Sequence, residues 1–196
     1  MRVIAGEAKG VPLAVPRHGT RPTTDRVREA VFSVFAGWAG TAGGPAESQL
    51  TGLSVLDLFA GSGAVAVEAA SRGAGPVFAV DAAQAAVTAI AANAAATGLG
   101  VQPVKATAES FLSGPQSVAG GFDIVWLDPP YDLPDKDLSA LLARLYDGWL
   151  ATGALVAVER SQRRGPVAWP VQLAHRRSRR YGETVVSFAE MEEDEP

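Results

Sequence analysis

The chain has no cysteine, and only two histidines and two methionines, in 196 residues. Without cysteine, disulfides and thiolate metal sites are excluded. His18 and His175 are too far apart in sequence to give the clustered donors of a zinc site, so no metal is expected. Long apolar runs are missing too. The most apolar helical stretch, AAQAAVTAIAANAAA, is interrupted by Gln84, Thr88 and Asn93 and is too short to span a bilayer. The beginning MRVIAGEAKG has neither the apolar core nor the cleavage site of a secretory signal. A soluble, cytoplasmic chain is therefore expected. No apolar surface helix calls for a partner, so a monomer is expected as well. Acidic residues are unevenly missing. Residues 160–182 hold seven arginines and no acid, and residues 1–30 hold six basic side chains against three acidic ones. Residues 31–159 hold twelve acids and four bases. Two basic segments flanking an acidic centre suit a polyanionic partner touched over a limited surface.

What is present reads as one α/β domain with a small appendage. RVIAGEAKGVPLAV alternates loosely around glycines and predicts an N-terminal hairpin. A helix starts at Thr24 or Asp25, and Val27, Ala30, Val31, Val34, Phe35 and Trp38 form its apolar face, which leaves Arg26, Arg28 and Glu29 on the other side. Residues 1–40 thus form an extension, and AGTAGGPAESQLTG connects it to a main domain over 50–190. From Leu53 strands alternate with helices: LSVLDLF, AVAVEAASRG, PVFAV, AAQAAVTAIAANAAATG, VQPVK, FDIVWLD, KDLSALLARLYDGWL and ALVAVE, then a hairpin turning at Tyr181–Gly182. This order predicts a seven-stranded, mostly parallel sheet with helices on both faces and an antiparallel end. The acidic tail 191–196 is expected to be disordered.

LDLFAGSGAVAVEAA places Gly61, Gly63 and Ala66 between a strand and a helix, where a tight turn lets a ligand approach the backbone. Asp81 ends the second strand twenty residues after Gly61, in position to accept from ribose hydroxyls. Two cofactors fit this pattern. A dinucleotide would set its pyrophosphate on the helix N-terminus. S-adenosylmethionine would lay its ribose on Asp81 and its methionine part along Phe59, Ala60, Gly61, Ser62 and Gly63. Asp57 would repel a pyrophosphate but could hold an ammonium, and the loop has no basic residue for phosphates. Both features favour S-adenosylmethionine. Ser62 has no histidine near it and is not a nucleophile candidate.

The fourth strand runs into LDPPYD, an acid followed by two prolines that fix φ and donate nothing to a sheet. In an open parallel sheet, ligands lie beyond the carboxyl ends of the strands. The predicted topology sets this strand beside the first, so Asp128 faces a methyl group held at the glycine loop. The Asp128 carboxylate and the Pro129 carbonyl can each accept one hydrogen of an exocyclic amine, turning its delocalised lone pair toward the methyl. Pro129 and Pro130 stiffen the acceptors. Tyr131 offers a flat face for a base flipped out of its stack.

DPPY is similar to the signature of amino-methyltransferases that act on adenine N6, cytosine N4 and guanine N2. With the runs RVIAGEAKGVPLAVP, TRPTTDRVREAVF and VLDLFAGSGAVAVEAASRGA, the chain resembles the bacterial small-subunit (16S) ribosomal RNA guanine-N2 methyltransferase family from Arg2 to about Phe188. The resemblance implies a Rossmann-like class I methyltransferase fold with S-adenosylmethionine as cofactor and S-adenosylhomocysteine as product. It also implies direct methyl transfer to one guanine of small-subunit ribosomal RNA, by way of a flipped base. By the same resemblance Arg21, Thr23, Thr24, Arg26 and Arg28 lie at the RNA entrance, and Thr107 and Ala108 lie beside the cofactor adenine. Family members often carry Glu at Asp81, and Asp or Asn at Thr107. The competing readings are a DNA adenine-N6 methyltransferase, which needs room for a sequence-reading region, an NAD-dependent oxidoreductase, and a non-catalytic RNA-binding module.

Overall fold

The computed structural model describes residues 1–16 and 24–192. Arg21 and Thr23, and the tail from 193 to 196, lie outside the described residues. The main domain is built on a sheet of β1 (Val55–Leu58), β2 (Val77–Asp81), β3 (Val101–Lys105), β4 (Phe122–Leu127), β5 (Leu150–Ser161), β6 (Leu173–Tyr181) and β7 (Thr184–Met191). Its strand order is β3-β2-β1-β4-β5-β7-β6. The first five strands pair in parallel, and β7 runs antiparallel between β5 and β6. The order reverses between β1 and β4, so a crevice opens at their carboxyl ends. β1 and β4 are buried along almost their whole length, as expected for parallel strands covered on both faces. Pro103 is confined to the edge strand β3, where its missing N–H has no ladder to break.

One face of the sheet packs against α1 (Asp25–Trp38), α2 (Ala64–Ser71) and α3 (Gln84–Thr97), with Ile124, Trp126 and Phe188 in the shared core. The other face packs against α4 (Ala108–Leu112) and α5 (Asp135–Tyr146) through Leu138, Leu141, Leu142 and Leu145. Thr24 caps α1, its Oγ1 accepting from the Val27 amide at 3.3 Å. α3 ends at Gly98 with φ +71°, the left-handed cap that glycine adopts without strain. α4 was not expected from the sequence. Thr107 starts it by accepting from the Ser110 amide at 3.1 Å, and at five residues it is too short to show a periodicity.

The N-terminal segment folds back on itself through one antiparallel bridge, Arg2 to Pro12, with Val3 donating to Val11 at 3.0 Å. It is held to the main domain by a buried acid. Glu68 in α2 has no exposed surface; it accepts from the Ile4 and Ala5 amides at 2.7 and 3.0 Å and from Arg72 at 2.9 Å. The Arg72 guanidinium in turn lies over the Phe32 ring of α1.

Arg28 departs from expectation. The sequence puts it on the polar side of α1, at the RNA entrance, but its side chain is fully buried. It donates to the Arg2 carbonyl and to Asp25, and it lies in the field of Glu68. Burial, the largest influence on it, holds its pKa below the ordinary value. Its observed role is to tie α1 to the N-terminal segment, because α1 is covered on a second side where a solvated face was expected.

Candidate active site

A cleft of about 930 Å³ opens at the carboxyl ends of the parallel strands. Asp57, Phe59, Ala60, Gly61, Ser62, Asp81, Thr107 and Ala108 line it, together with Asp128, Pro129, Pro130 and Tyr131. Thr24 reaches its rim, whereas Arg26 is exposed outside it. Gly63 is not in the lining. A Cβ at that position would meet Ile90 Cγ1 at 2.9 Å, and its φ is +71°. Gly63 therefore serves the close packing of α2 on α3 rather than the approach of a ligand.

The glycine loop is fixed from both sides. The Gly61 amide donates to Asp81 Oδ2 at 2.9 Å, and the Ala83 amide donates to Asp81 Oδ1 at 2.8 Å. One carboxylate thus spans the turns after β1 and β2. Each oxygen keeps a further acceptor position, which is what two vicinal hydroxyls require. On the other side Asn93 Nδ2 donates to the Ser62 carbonyl at 2.8 Å, while its Oδ1 accepts from the Ala14 amide at 2.7 Å. Nothing in the sequence pattern singles out Asn93. It lies in an alanine-rich helix that also carries Gln84, so an amide there leaves little signal.

Asp57 is 2% exposed and accepts from the Ala66 amide at 3.1 Å. Burial is the main reason its pKa is pushed up to about 8, with the Asp81 charge adding to the effect and the Ala66 amide opposing it. The expectation of a standing negative charge at Asp57 is thereby corrected: near neutral pH this carboxyl holds its proton. A cation placed beside it would favour release of that proton.

Asp128 follows β4 and is half-buried. Its amide donates to the Leu58 carbonyl at 3.4 Å, continuing the pairing of Leu127 with Leu58. The tip that carries the acid and the tip that carries the glycine loop are therefore hydrogen-bonded neighbours. The Pro130 carbonyl accepts from the Leu133 amide at 3.0 Å. Among the described residues no backbone amide donates to the Pro129 carbonyl, which leaves it available as an acceptor. Tyr131 is 61% exposed at the mouth of the cleft.

Two arginines of the basic segment hold the chain just beyond this loop. Arg160 is 9% exposed and pairs with Asp135 at 2.6 Å, and Arg164 donates to the Leu133 carbonyl at 2.6 Å. These contacts engage both side chains within the protein. Sequence reasoning also missed Glu159 and the β6–β7 turn, Tyr181 to Thr184, all of which line the cleft. They come from the last strands, which carry no glycine loop or proline pair to mark them.

Carboxylates dominate the cleft, with Asp57, Asp81, Asp128 and Glu159 among its lining, and no lysine or arginine of the described residues lines it. This donor set does not suit a pyrophosphate. It does suit a ligand with a ribose, an ammonium and a sulfonium, so the residues present fit S-adenosylmethionine. Among the described residues no group of three or more metal-ligating side chains is found, and no helix is long and apolar enough to cross a membrane.

The model of the family described as conserved hypothetical protein 95 matches residues 1–190. Ribosomal RNA small subunit methyltransferase D of Escherichia coli (strain K12) is 33% identical over 177 residues, covering 86% of this chain and 81% of that protein. The chain belongs to this family. Its fold follows the same assignment. The solved structure of Escherichia coli yhhF superposes with a TM-score of 0.81 at 30% identity, covering 98% of each chain. A hypothetical protein of Thermus thermophilus gives 0.78 at 30% identity, covering 97% of this chain and 99% of its own. The architecture is that of a Rossmann-like class I methyltransferase, as the order of strands and helices predicted.

Proposed function

We propose that the protein methylates the exocyclic N2 of a guanine in small-subunit ribosomal RNA, acting on a base flipped into the cleft. The observation that carries this reading is the hydrogen bond between the Asp128 amide and the Leu58 carbonyl, which sets the DPPY acid beside the glycine loop in one cleft. The name of the Escherichia coli relative, a small-subunit ribosomal RNA methyltransferase, supports the choice of substrate.

Asp81 would hold the ribose of S-adenosylmethionine, Asp57 its ammonium, and Thr107 and Ala108 the edge of its adenine. Bound there, the cofactor supplies an electrophilic methyl group. The chain's own residues prepare the acceptor. Asp128 and the Pro129 carbonyl each accept one hydrogen of the amine, which orients the nitrogen lone pair and stabilises the positive charge that develops on it. Asp128 then takes the proton that the methylated nitrogen loses. A hydrogen bond to a carboxylate is worth about 1.5–3 kcal/mol. Tyr131 stacks on the base, which returns roughly 1–3 kcal/mol toward the few spent in unstacking it. Thr24 and Arg26, on the rim and beside it, face the incoming RNA, with Arg21 and Thr23 next to them in sequence.

The test is methyl transfer from labelled S-adenosylmethionine to small subunits that lack their native methylations, followed by nucleoside analysis. N2-methylguanosine is the expected product. Label found on adenine, or only on naked duplex DNA, refutes the assignment.

A further inference from the structure

Binding an amine through Asp128 and a backbone carbonyl does not by itself choose a base, since adenine, cytosine and guanine all carry exocyclic amines. What sets guanine apart is the neighbouring ring position. Guanine presents N1–H, a donor, beside its amine, whereas adenine N1 and cytosine N3 present lone pairs. A site that selects guanine therefore needs a second acceptor next to Asp128.

The sheet supplies one. β4 and β5 are parallel, and Leu127 is in register with Val158, so Asp128 and Glu159 occupy the next pair of positions along the two strands. Trp126 and Ala157 pack into the core on the α1–α2 face, and Leu127 and Val158 into the opposite core. Alternation returns Asp128 and Glu159 to the face of Trp126, and both line the cleft. Neighbouring strands are about 4.8 Å apart, a gap that the longer glutamate arm can narrow to the spacing of adjacent donors on one base.

We propose that Glu159 is the residue that selects guanine, accepting N1–H while Asp128 accepts from the N2 amine. This inference rests on the guanine-N2 reading above. A carboxylate has two oxygens and about four acceptor positions, so accepting N1–H is compatible with its other interactions. Adenine or cytosine in the same pose would turn a ring lone pair toward the Glu159 oxygen and leave both unsatisfied.

The test uses reconstituted small subunits whose RNA carries either guanine or 2-aminopurine at the methylated position. 2-Aminopurine keeps the amine but has a lone pair at N1. The unmodified protein is expected to favour guanine by roughly 10- to 150-fold in kcat/KM. Glu159→Gln can donate through its amide, so the same ratio is expected to fall at least about tenfold, with S-adenosylhomocysteine affinity held within about threefold. Glu159→Asp keeps the charge and is expected to keep the preference while turning over more slowly. An unmoved ratio in the Gln variant, an equal shift in the Asp variant, or a matching loss of S-adenosylhomocysteine binding overturns the pairing alone. If no guanine is labelled by the unmodified protein, the underlying reading is overturned and the pairing with it.

Discussion

Replacing Asp57 by Asn should change how stability depends on pH more than how stable the protein is. Asp57 is buried at the floor of the cleft, and its pKa is pushed up to about 8 against an ordinary 3.8. Between those values the folded state keeps a proton that the unfolded chain has released, so stability falls as pH rises. Below about pH 4 the carboxyl is neutral in both states, and the isosteric amide can accept the same Ala66 N–H, so the gap between the two proteins is smallest there and has begun to open by about pH 5. From about pH 5 to about pH 8 the unmodified protein should lose roughly 3–4 kcal/mol relative to the variant, which follows from about 1.4 kcal/mol per pH unit of proton uptake. Urea unfolding of both proteins at the two pH values measures the difference directly, since contributions common to both cancel. The expected result is a gap that opens with pH in favour of the variant. A gap that stays flat within about 0.5 kcal/mol refutes the argument that burial keeps Asp57 neutral. Saturating S-adenosylhomocysteine should reduce the loss if its ammonium lies beside Asp57, because the cation favours the ionised carboxylate.

Asp128→Asn should lower methyl transfer at least roughly 10- to 150-fold while S-adenosylhomocysteine still binds in calorimetry; unchanged turnover would remove Asp128 from the mechanism. Tyr131→Ala should leave the urea midpoint unchanged, because the ring is 61% exposed, and should raise KM for the RNA substrate about tenfold or more. Gly63→Ala should destabilise the fold by roughly 1–3 kcal/mol, since its Cβ would stand 2.9 Å from Ile90 in a left-handed backbone. An unchanged midpoint would mean that α3 yields freely. Glu68→Gln leaves two buried arginines short of their acid and should cost about 3–5 kcal/mol in the same assay. Retained stability there would show that the amide alone can hold the N-terminal segment.

The parallel part of the sheet was legible because β1, β2, β4 and β5 hold short apolar runs separated by helical stretches, a signature that depends on local sequence alone. The same holds for the glycine loop and for the acid and prolines after β4, whose spacing already set them on neighbouring tips. What escaped was tertiary. Arg28 reads as a surface residue by helical spacing, yet the N-terminal segment covers that side of α1, and contacts between Arg2 and Arg28 have no local pattern. Gly63 reads as part of a ligand loop, but its requirement comes from Ile90 on another helix. The β6–β7 turn reaches the cleft because β7 inserts beside β5, and strand insertion leaves no mark in a linear pattern, while Glu159 sits on β5 with no motif around it to single it out. The pKa of Asp57 follows the same logic: a carboxylate looks charged until the packing around it is known.

An acidic cleft is an unexpected place to receive a polyanion, and the distribution of charge resolves the conflict. Phosphates need not enter. On the proposed reading, a flipped base carries no charge and presents an amine whose hydrogens would meet the acceptors on Asp128 and Pro129. The sulfonium and ammonium of the cofactor are cations, for which Asp81 is a favourable neighbour and beside which Asp57 would release its proton. Arg160 and Arg164, drawn from the basic segment, hold Asp135 and Leu133, so the loop beyond the acid is braced by charge, and among the described residues no guanidinium lines the cleft. On the proposed reading, the separation of basic surface from acidic interior among the described residues would let one site take a cation and an amine while the nucleic-acid backbone stays outside.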